Sequence, residues 1–291
     1  MIKRFFIAGV VVFSFCFALI YNQLSFNESL TPMKGGAPSV ANRVRFRVER
    51  EVRRIRQGLS GLGTSVVSAD ASPQPVAPAK VLYLTHSAGF KHPVLPHSEQ
   101  VFKEIGSRTG AYEATVTQDC SLISKSGLQP YKAVVFYTTG ELPITDGQKA
   151  AFLDFIKSGN GFVGIHSATD TFYKWPEFGD LIGGYFDGHP WHQEVAVKVE
   201  DQKHPSTKHL GATFKITDEI YQFKNWSRDR LHVLLSVDVS SIDLTKKGVN
   251  RTDKDFALCW TREYGKGRMF YTALGHRPEV WNDPRFQEHL V

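Results

Sequence analysis

Cysteine is scarce in this chain, with three in 291 residues. No Cys-x-x-Cys pair is present, which removes the usual zinc-ribbon and thioredoxin-type signatures. Cys16 sits in an apolar N-terminal run without the small residues of a lipoprotein site, and downstream only Cys120 and Cys259 remain, free or able to pair in an oxidising compartment. There is no His-Glu-x-x-His. No glycine-rich phosphate loop follows the first predicted strand either: Thr85-His-Ser-Ala-Gly89 holds one glycine and a histidine, a poor fit to a dinucleotide fingerprint. Internal repeats are missing. Most of the chain carries no excess of either charge. The formal charge is +6, but residues 1–79 hold ten Lys+Arg and four Asp+Glu, which leaves 25 of each for residues 80–291. The basic balance therefore belongs to the N-terminal segment, and the remainder has no net charge with which to attract nucleic acid.

What the N-terminus does have is a targeting pattern. Lys3 and Arg4 precede an uncharged apolar run from Phe5 to Ile20, sixteen residues long. That is long for the apolar part of a signal peptide and short for a membrane span. Residues 1–22 are expected to be a signal peptide or, because bulky Ile20-Tyr-Asn-Gln-Leu24 replaces a small-x-small cleavage site, an uncleaved signal anchor. Either exports the rest of the chain to the periplasm or the extracellular side. Residues 23–79 read as a disordered tether, with Gly35-Gly36, the Ser/Gly stretch 58–64 and Ser72-Pro-Gln-Pro-Val-Ala-Pro78. Within it Val48, Val52, Ile55 and Leu59 recur at helical spacing among arginines, a basic amphipathic segment suited to an anionic membrane surface or to a solvated spacer.

From Lys80 the pattern changes to strands alternating with helices. Val81–Thr85, Tyr112–Thr117, Lys132–Thr139 and the run beginning at Gly161 read as strands. A helix is expected from about Pro96 to Thr109. A second starts at Thr145, whose spacing to Gln148 is a capping box, and stops at Gly159. This rhythm predicts a doubly wound α/β sheet that is mostly parallel. After Gln193 the alternation of Val195, Val197 and Val199 and the later runs 231–237, 255–261 and 268–273 predict an antiparallel extension, with Gly265-Lys-Gly267 as a turn.

The stretch Gly161–Phe172 carries the sharpest functional signal. Phe162, Val163 and Ile165 form a short buried strand that stops on His166-Ser-Ala-Thr169. A polar residue at such a strand-to-helix elbow is presented at the carboxyl edge of the sheet, where ligands bind in open α/β folds. An imidazole there points to proton transfer or metal ligation, not to covalent acyl chemistry. Other imidazoles and carboxylates fall at predicted loop positions: His86, His92, Glu141, Asp170, His189, Asp218, Glu219 and His276. Such a set suits zinc-like divalent metals and general acid–base sites equally. Phe90, Tyr173, Trp175, Phe186 and Tyr221 flank these residues, and aromatic rings beside polar groups suit the faces of sugars. His97, His192, His209, His232 and His289 read as surface or structural.

Taken together, Gly89-Phe-Lys-His92, Thr138-Thr-Gly140, Gly164-Ile-His-Ser-Ala-Thr-Asp-Thr171, Gly183–Pro190, Asp218-Glu-Ile-Tyr221 and Gly267–His276 resemble the ThuA-like (trehalose utilisation) family. The resemblance runs from about Val81 to Leu290. It implies a flavodoxin-like three-layer sandwich of the class I glutamine amidotransferase type, with a mostly parallel sheet and an antiparallel extension. It also implies His166 where amidotransferases carry their nucleophilic Cys, so thiolate-driven glutamine hydrolysis is not expected. Leu258-Cys259 departs from the Pro-Ile usual in the family, and the family pattern would continue past Val291 into a Gly-rich segment and a last apolar element.

The function expected from the residues and the resemblance is action on a small carbohydrate, a disaccharide or keto-sugar, by hydrolysis or isomerisation. His166, His189 and His276 would hold a divalent metal such as zinc, with His166 also catalytic and Glu219 or Asp218 as base. His92, Phe90, Asp170, Trp175, Gln193 and Tyr221 would contact substrate. The alternatives are a non-catalytic sugar-binding or interaction domain on a membrane tether, or a degenerate amidotransferase-like scaffold.

Overall fold

The computed structural model describes residues 77–291. The expected signal segment, 1–22, and all but the last residues of the tether, 23–79, lie outside the described residues. Among those described, no helix is long and apolar enough to cross a membrane.

The first strand, β1 (Ala79–Leu84), is buried from Val81 to Leu84. An unbroken apolar run of this kind suits a parallel strand covered on both faces. Helix α1 (Leu95–Thr109) follows, with Leu95, Ser98, Val101, Phe102 and Ile105 buried at helical spacing, and ends on Gly110 in the left-handed region. Next come β2 (Tyr112–Thr117), the short α2 (Lys125–Leu128) and β3 (Ala133–Phe136). Helix α3 (Asp146–Lys157) starts with both halves of the capping box, Thr145 to the Gln148 backbone and Gln148 back to Thr145. Then follow β4 (Gly161–Ile165), α4 (Pro176–Ile182), β5 (Tyr185–Phe186), β6 (Trp191–Val199) and β7 (Thr213–Ile220). The chain closes with β8 (Phe223–Lys224), β9 (His232–Val237), β10 (Ala257–Tyr264), β11 (Gly267–Thr272), α5 (Pro278–Asn282) and α6 (Pro284–His289).

Nine strands form one sheet in the order β2-β1-β3-β4-β11-β10-β9-β6-β7, and β5 pairs with β8 separately. The first five run parallel, from β2 to β11. The remainder pair antiparallel. Helices cover both faces, giving three layers. Phe136 and Phe162 pack, mostly edge to face, with Phe152 of α3 and Phe178 of α4 on one side. On the other, Tyr83 meets Phe102 of α1 and Tyr137 meets Trp281 of α5. The expected α/β sandwich with a parallel sheet and antiparallel extension is the observed one. One strand differs in place: β11, read as part of the extension, is the parallel neighbour of β4 and the antiparallel partner of β10. Its apolar pattern is common to both kinds of pairing, so only the tertiary fold assigns it.

Two features of the topology gather the polar residues at one edge. The loops after β1, β3, β4 and β11 all leave from the carboxyl ends of parallel strands, on the same side of the sheet. In addition, β6 pairs with β9 only over Val197–Val199 but with β7 from Trp191 to Lys198. The first half of β6 and the second half of β7 therefore project beyond the sheet as a two-stranded ribbon. Cys120 and Cys259 are both buried and free.

At the end of α6, His289 is buried, with Nδ1 donating to the Ser206 carbonyl at 2.8 Å and Nε2 without a partner among the described residues. Burial pushes its pKa down to about 4 from 6.5. Between those values the unfolded chain binds a proton that the fold excludes, so this residue's contribution to stability is lost as pH falls through that window. The melting temperature is expected to drop between about pH 7 and pH 4.5, and to drop less in His289→Phe. A thermal melt series on both proteins checks this, and an equal drop in the two would contradict it.

Candidate functional site

The site is built outward from the end of β4. His166 follows Ile165 in the left-handed region, φ 45°, which is unusual for a residue with a side chain and is held only when the surroundings enforce it. Here they do. The His166 carbonyl accepts from the Tyr271 hydroxyl at 2.7 Å, and His166 Nδ1 donates to the Ala273 carbonyl at 2.7 Å. Gly164 has no room for more: an added Cβ would meet Tyr271, Ile182 and Ala168 at 3.0–3.2 Å. The bond to Ala273 sets the tautomer, so the neutral ring carries its lone pair on Nε2.

That nitrogen faces a carboxylate delivered by the ribbon. His166 Nε2 lies 3.2 Å from Glu219 Oε2 and 3.2 Å from His276 Nδ1, and His276 Nδ1 lies 3.1 Å from the same oxygen. His92 completes the inner group, with its ring 5.0 Å from that of His166 and 5.3 Å from that of His276. One ligand atom from each of these four residues lies within 4.8 Å of the others. The opposite oxygen, Glu219 Oε1, faces His189 Nδ1 at 3.4 Å and contacts His192 Nε2. The carboxylate is nearly buried at 6% side-chain exposure, while His189 and His192 are about half exposed at 47% and 48%. Five imidazoles thus surround one carboxylate, three inside and two on the open side.

The electrostatics follow from this crowding. Burial opposes the Glu219 charge, but hydrogen bonds and positive charge from His166 and His276 outweigh it and hold the carboxyl well below the usual range. Burial likewise opposes charge on His276, yet the Glu219 hydrogen bond and the charges of Glu219 and Asp218 raise its pKa. For His92, burial dominates, with the neighbouring His166 and His276 adding to it, and the pKa falls to about 3. His92 is therefore a neutral ring, and its buried Nδ1 has no hydrogen-bond partner among the described residues.

These residues fit a divalent cation. A lone pair facing a carboxylate oxygen at 3.2 Å needs positive charge between them, a proton or a metal ion. The spacings of 3.1–3.2 Å among the three atoms are close to the edge, about 3.3 Å, of a tetrahedron with bonds of about 2.0 Å. Imidazole with carboxylate is a donor set for zinc and related ions. The His166 bond to a backbone carbonyl is the outer contact that orients metal-ligating histidines.

Of the residues expected at the site, His92, His166, His189, Glu219 and His276 meet. Tyr221 forms a wall, its ring 4.3 Å from that of His166. Phe90 is 62% exposed and stands edge-on to His92 at 4.9 Å. Asp170 accepts from the Tyr173 hydroxyl at 2.6 Å, and that hydroxyl also reaches the Phe186 carbonyl, beside Tyr221 and His189. Burial raises the Asp170 pKa, partly offset by the Tyr173 hydrogen bond.

Others do not join them. Asp218, expected as an alternative base, is buried and its Oδ2 accepts from the Gly275 and His276 amides at 2.7 and 3.4 Å. Strand alternation turns it to the face opposite Glu219, where it holds the turn that carries His276. Trp175, expected to touch substrate, is buried among Phe152, Phe172 and Phe178. Gln193, also expected there, alternates away from His192 and donates to the Ser241 carbonyl at 3.3 Å. His86 bonds to the Gln118 carbonyl and Glu141 accepts from the Lys174 amide, both apart from the cluster. His192, expected to be surface or structural, belongs to the cluster instead. The signal that could have found it is the pair His189-x-x-His192 at the mouth of a strand, but its value depends on register, because His192 lies directly opposite Glu219.

The family described as trehalose utilisation, ThuA, matches residues 80–291. The structure is similar to that of a ThuA-like protein from Bacteroides uniformis, with 26% identity and a TM-score of 0.63 over 76% of this chain and 91% of that one. It is also similar to a ThuA-like protein from Parabacteroides merdae, with 20% identity and a TM-score of 0.58 over 73% of this chain and 87% of that one. No curated protein matches significantly.

The raised pKa of His276 depends on Glu219 keeping its charge. In metal-free protein, Glu219→Gln should move the His276 titration to lower pH, read from the imidazole resonances in a nitrogen-15 NMR titration. An unmoved midpoint would show that the carboxylate does not hold that proton.

Proposed function

Because this chain belongs to the ThuA (trehalose utilisation) family, and so to carbohydrate metabolism, we propose that it is a metal-assisted enzyme acting on a keto-sugar or an oxidised disaccharide. The observation that carries this reading is the convergence of His92, His166 and His276 on the buried carboxylate of Glu219. These four residues would hold the ion, which when bound supplies Lewis acidity toward a sugar carbonyl or hydroxyl oxygen.

The protein's own groups have distinct tasks in this reading. His166 is fixed in tautomer and orientation by Ala273, so its Nε2 needs no reorganisation. Burial keeps His92 neutral, a lone-pair donor at any pH near 7. Glu219 is engaged by imidazoles on both oxygens and serves as a ligand and counter-charge, not as a free base. Phe90 and the Tyr173–Phe186–Tyr221 wall offer ring faces to the apolar side of a sugar. Asp170, with its carboxyl raised by burial and its orientation set by Tyr173, is the group suited to carrying a proton to and from substrate carbon.

Proton transfer beside a carbonyl, as in isomerisation, fits this set better than direct glycoside hydrolysis. Hydrolysis of the common type needs two carboxyl groups facing each other across the scissile bond. Here Glu219 is enclosed by imidazoles and Asp218 is pinned beneath the His276 turn.

Turnover should be followed on a panel of oxidised and unoxidised disaccharides, with deuterium from solvent tracked into the carbon next to the carbonyl. His166→Ala should abolish turnover while leaving the far-ultraviolet circular dichroism unchanged. Asp170→Asn should lower kcat by about 10²–10⁴-fold with little change in KM. Full turnover in His166→Ala, or sugar binding without any turnover or bound metal in the native protein, would sink the reading; the latter result is that of a binding module.

A further inference from the structure

Glu219 is used twice. Its Oε2 faces His166 and His276, while its Oε1 faces His189 and His192, and the second trio has ligand atoms within 4.8 Å of one another, as the inner group does. The two halves adjoin, since the rings of His192 and His276 are 5.3 Å apart and those of His189 and His192 are also 5.3 Å apart. From this we infer that the site is dinuclear: Glu219 bridges two divalent cations, an inner one held with His92, His166 and His276 and an outer one held with His189 and His192.

The inference rests on the inner-ion reading above and extends it to residues which that reading leaves without a task. Three points support it. First, the outer group is a two-histidine, one-carboxylate set on the open side, with both imidazoles half exposed, so three protein ligands would leave coordination positions for substrate and water. Second, the arrangement is built and not incidental. His192 and Glu219 are direct cross-strand partners in the β6–β7 ribbon, and His189 is brought in by the turn at Gly188, φ 109°. Third, two buried or half-buried carboxylates, Asp218 and Asp170, stand close enough to act electrostatically on His166, and Asp218 also on His276. With Glu219 they place three carboxyl groups around the two ions, offsetting part of their charge.

A carboxylate-bridged pair holds its ions about 3.5–4 Å apart and clamps two oxygens of one substrate. Within the keto-sugars proposed above, two such oxygens are presented by an α-hydroxy ketone, a sugar carbonyl with a hydroxyl on the next carbon. The outer ion thus adds to the keto-sugar reading a requirement for a hydroxyl on the carbon next to the carbonyl.

The test is a metal count on the full chain. The protein is loaded with Co(II) or Zn(II), freed of excess by desalting, and counted by elemental analysis, with visible absorption of the Co(II) form read in parallel. Two ions per chain are expected, falling to one in His189→Ala/His192→Ala, whose remaining Co(II) spectrum should be that of the inner site. One ion in the native chain, with the count unchanged in that double variant and lost in His166→Ala, would overturn the outer site and leave the single-ion reading standing. No ion in the native chain would overturn both. Should the double variant not fold, Mn(II) loaded into the native protein decides: exchange-coupled electron paramagnetic resonance lines support the pair, and uncoupled lines alone overturn it.

Discussion

A carboxylate taken out of water and surrounded by imidazoles is the interaction on which the rest of this structure turns. An unpaired charge at the burial of Glu219 costs several kcal/mol, on the order of the whole stability of a domain. It persists because hydrogen-bonded imidazoles approach from both sides, and that condition reaches far into the fold. His166 faces the carboxylate from a left-handed backbone position, which Tyr271 and Ala273 secure. His276 reaches it because Asp218 holds the amides of its turn, while the Gly275 carbonyl accepts from both Tyr137 and Trp281. Three aromatic or acidic residues from three parts of the chain thus act on one short turn.

The sheet explains how groups so distant in sequence meet. β4 and β11 are parallel neighbours, so the loops after them, carrying His166 and His276, emerge side by side. The loop after β1 brings His92 to the same edge. Glu219 has a different route. It lies on β7, the far edge strand in the sheet order, and arrives only because the β6–β7 ribbon extends beyond its pairing with β9. The parallel half supplies the rim and the antiparallel half supplies the counter-charge.

Aromatic residues show how burial decides their task. Phe152, Phe162, Phe172, Trp175 and Phe178 share ring contacts under the sheet and fill the core. Phe90 is mostly exposed beside His92, and Tyr173 partly so beside Asp170. The same chemistry that packs a core becomes, at the mouth of a polar cluster, a surface for the apolar face of a ligand. Composition alone does not separate the two.

Much of the fold is legible along the chain because its causes are local. Continuous apolar runs such as 81–84 mark strands covered on both faces, Thr145 with Gln148 marks a helix start, and Gly159 marks a stop. The rhythm of strands and helices then restricts the topology, and with it the edge where loop residues such as His86, His92, Glu141, His166, Asp170 and His276 collect; it is the resemblance to the ThuA-like family that singles out His92, His166, His189, Glu219 and His276 among them. Register and curvature cannot be read this way, because they are settled by contacts between residues far apart. Asp218 and Glu219 are adjacent in sequence and similar in chemistry, yet strand alternation sends one beneath a turn and the other into the cluster. His192 looks like any exposed histidine until pairing sets it opposite Glu219. The residue types available to the site were determined by the sequence alone; which of them share a carboxylate was decided by the tertiary structure, since a two-residue period can be phased only by the partner strand.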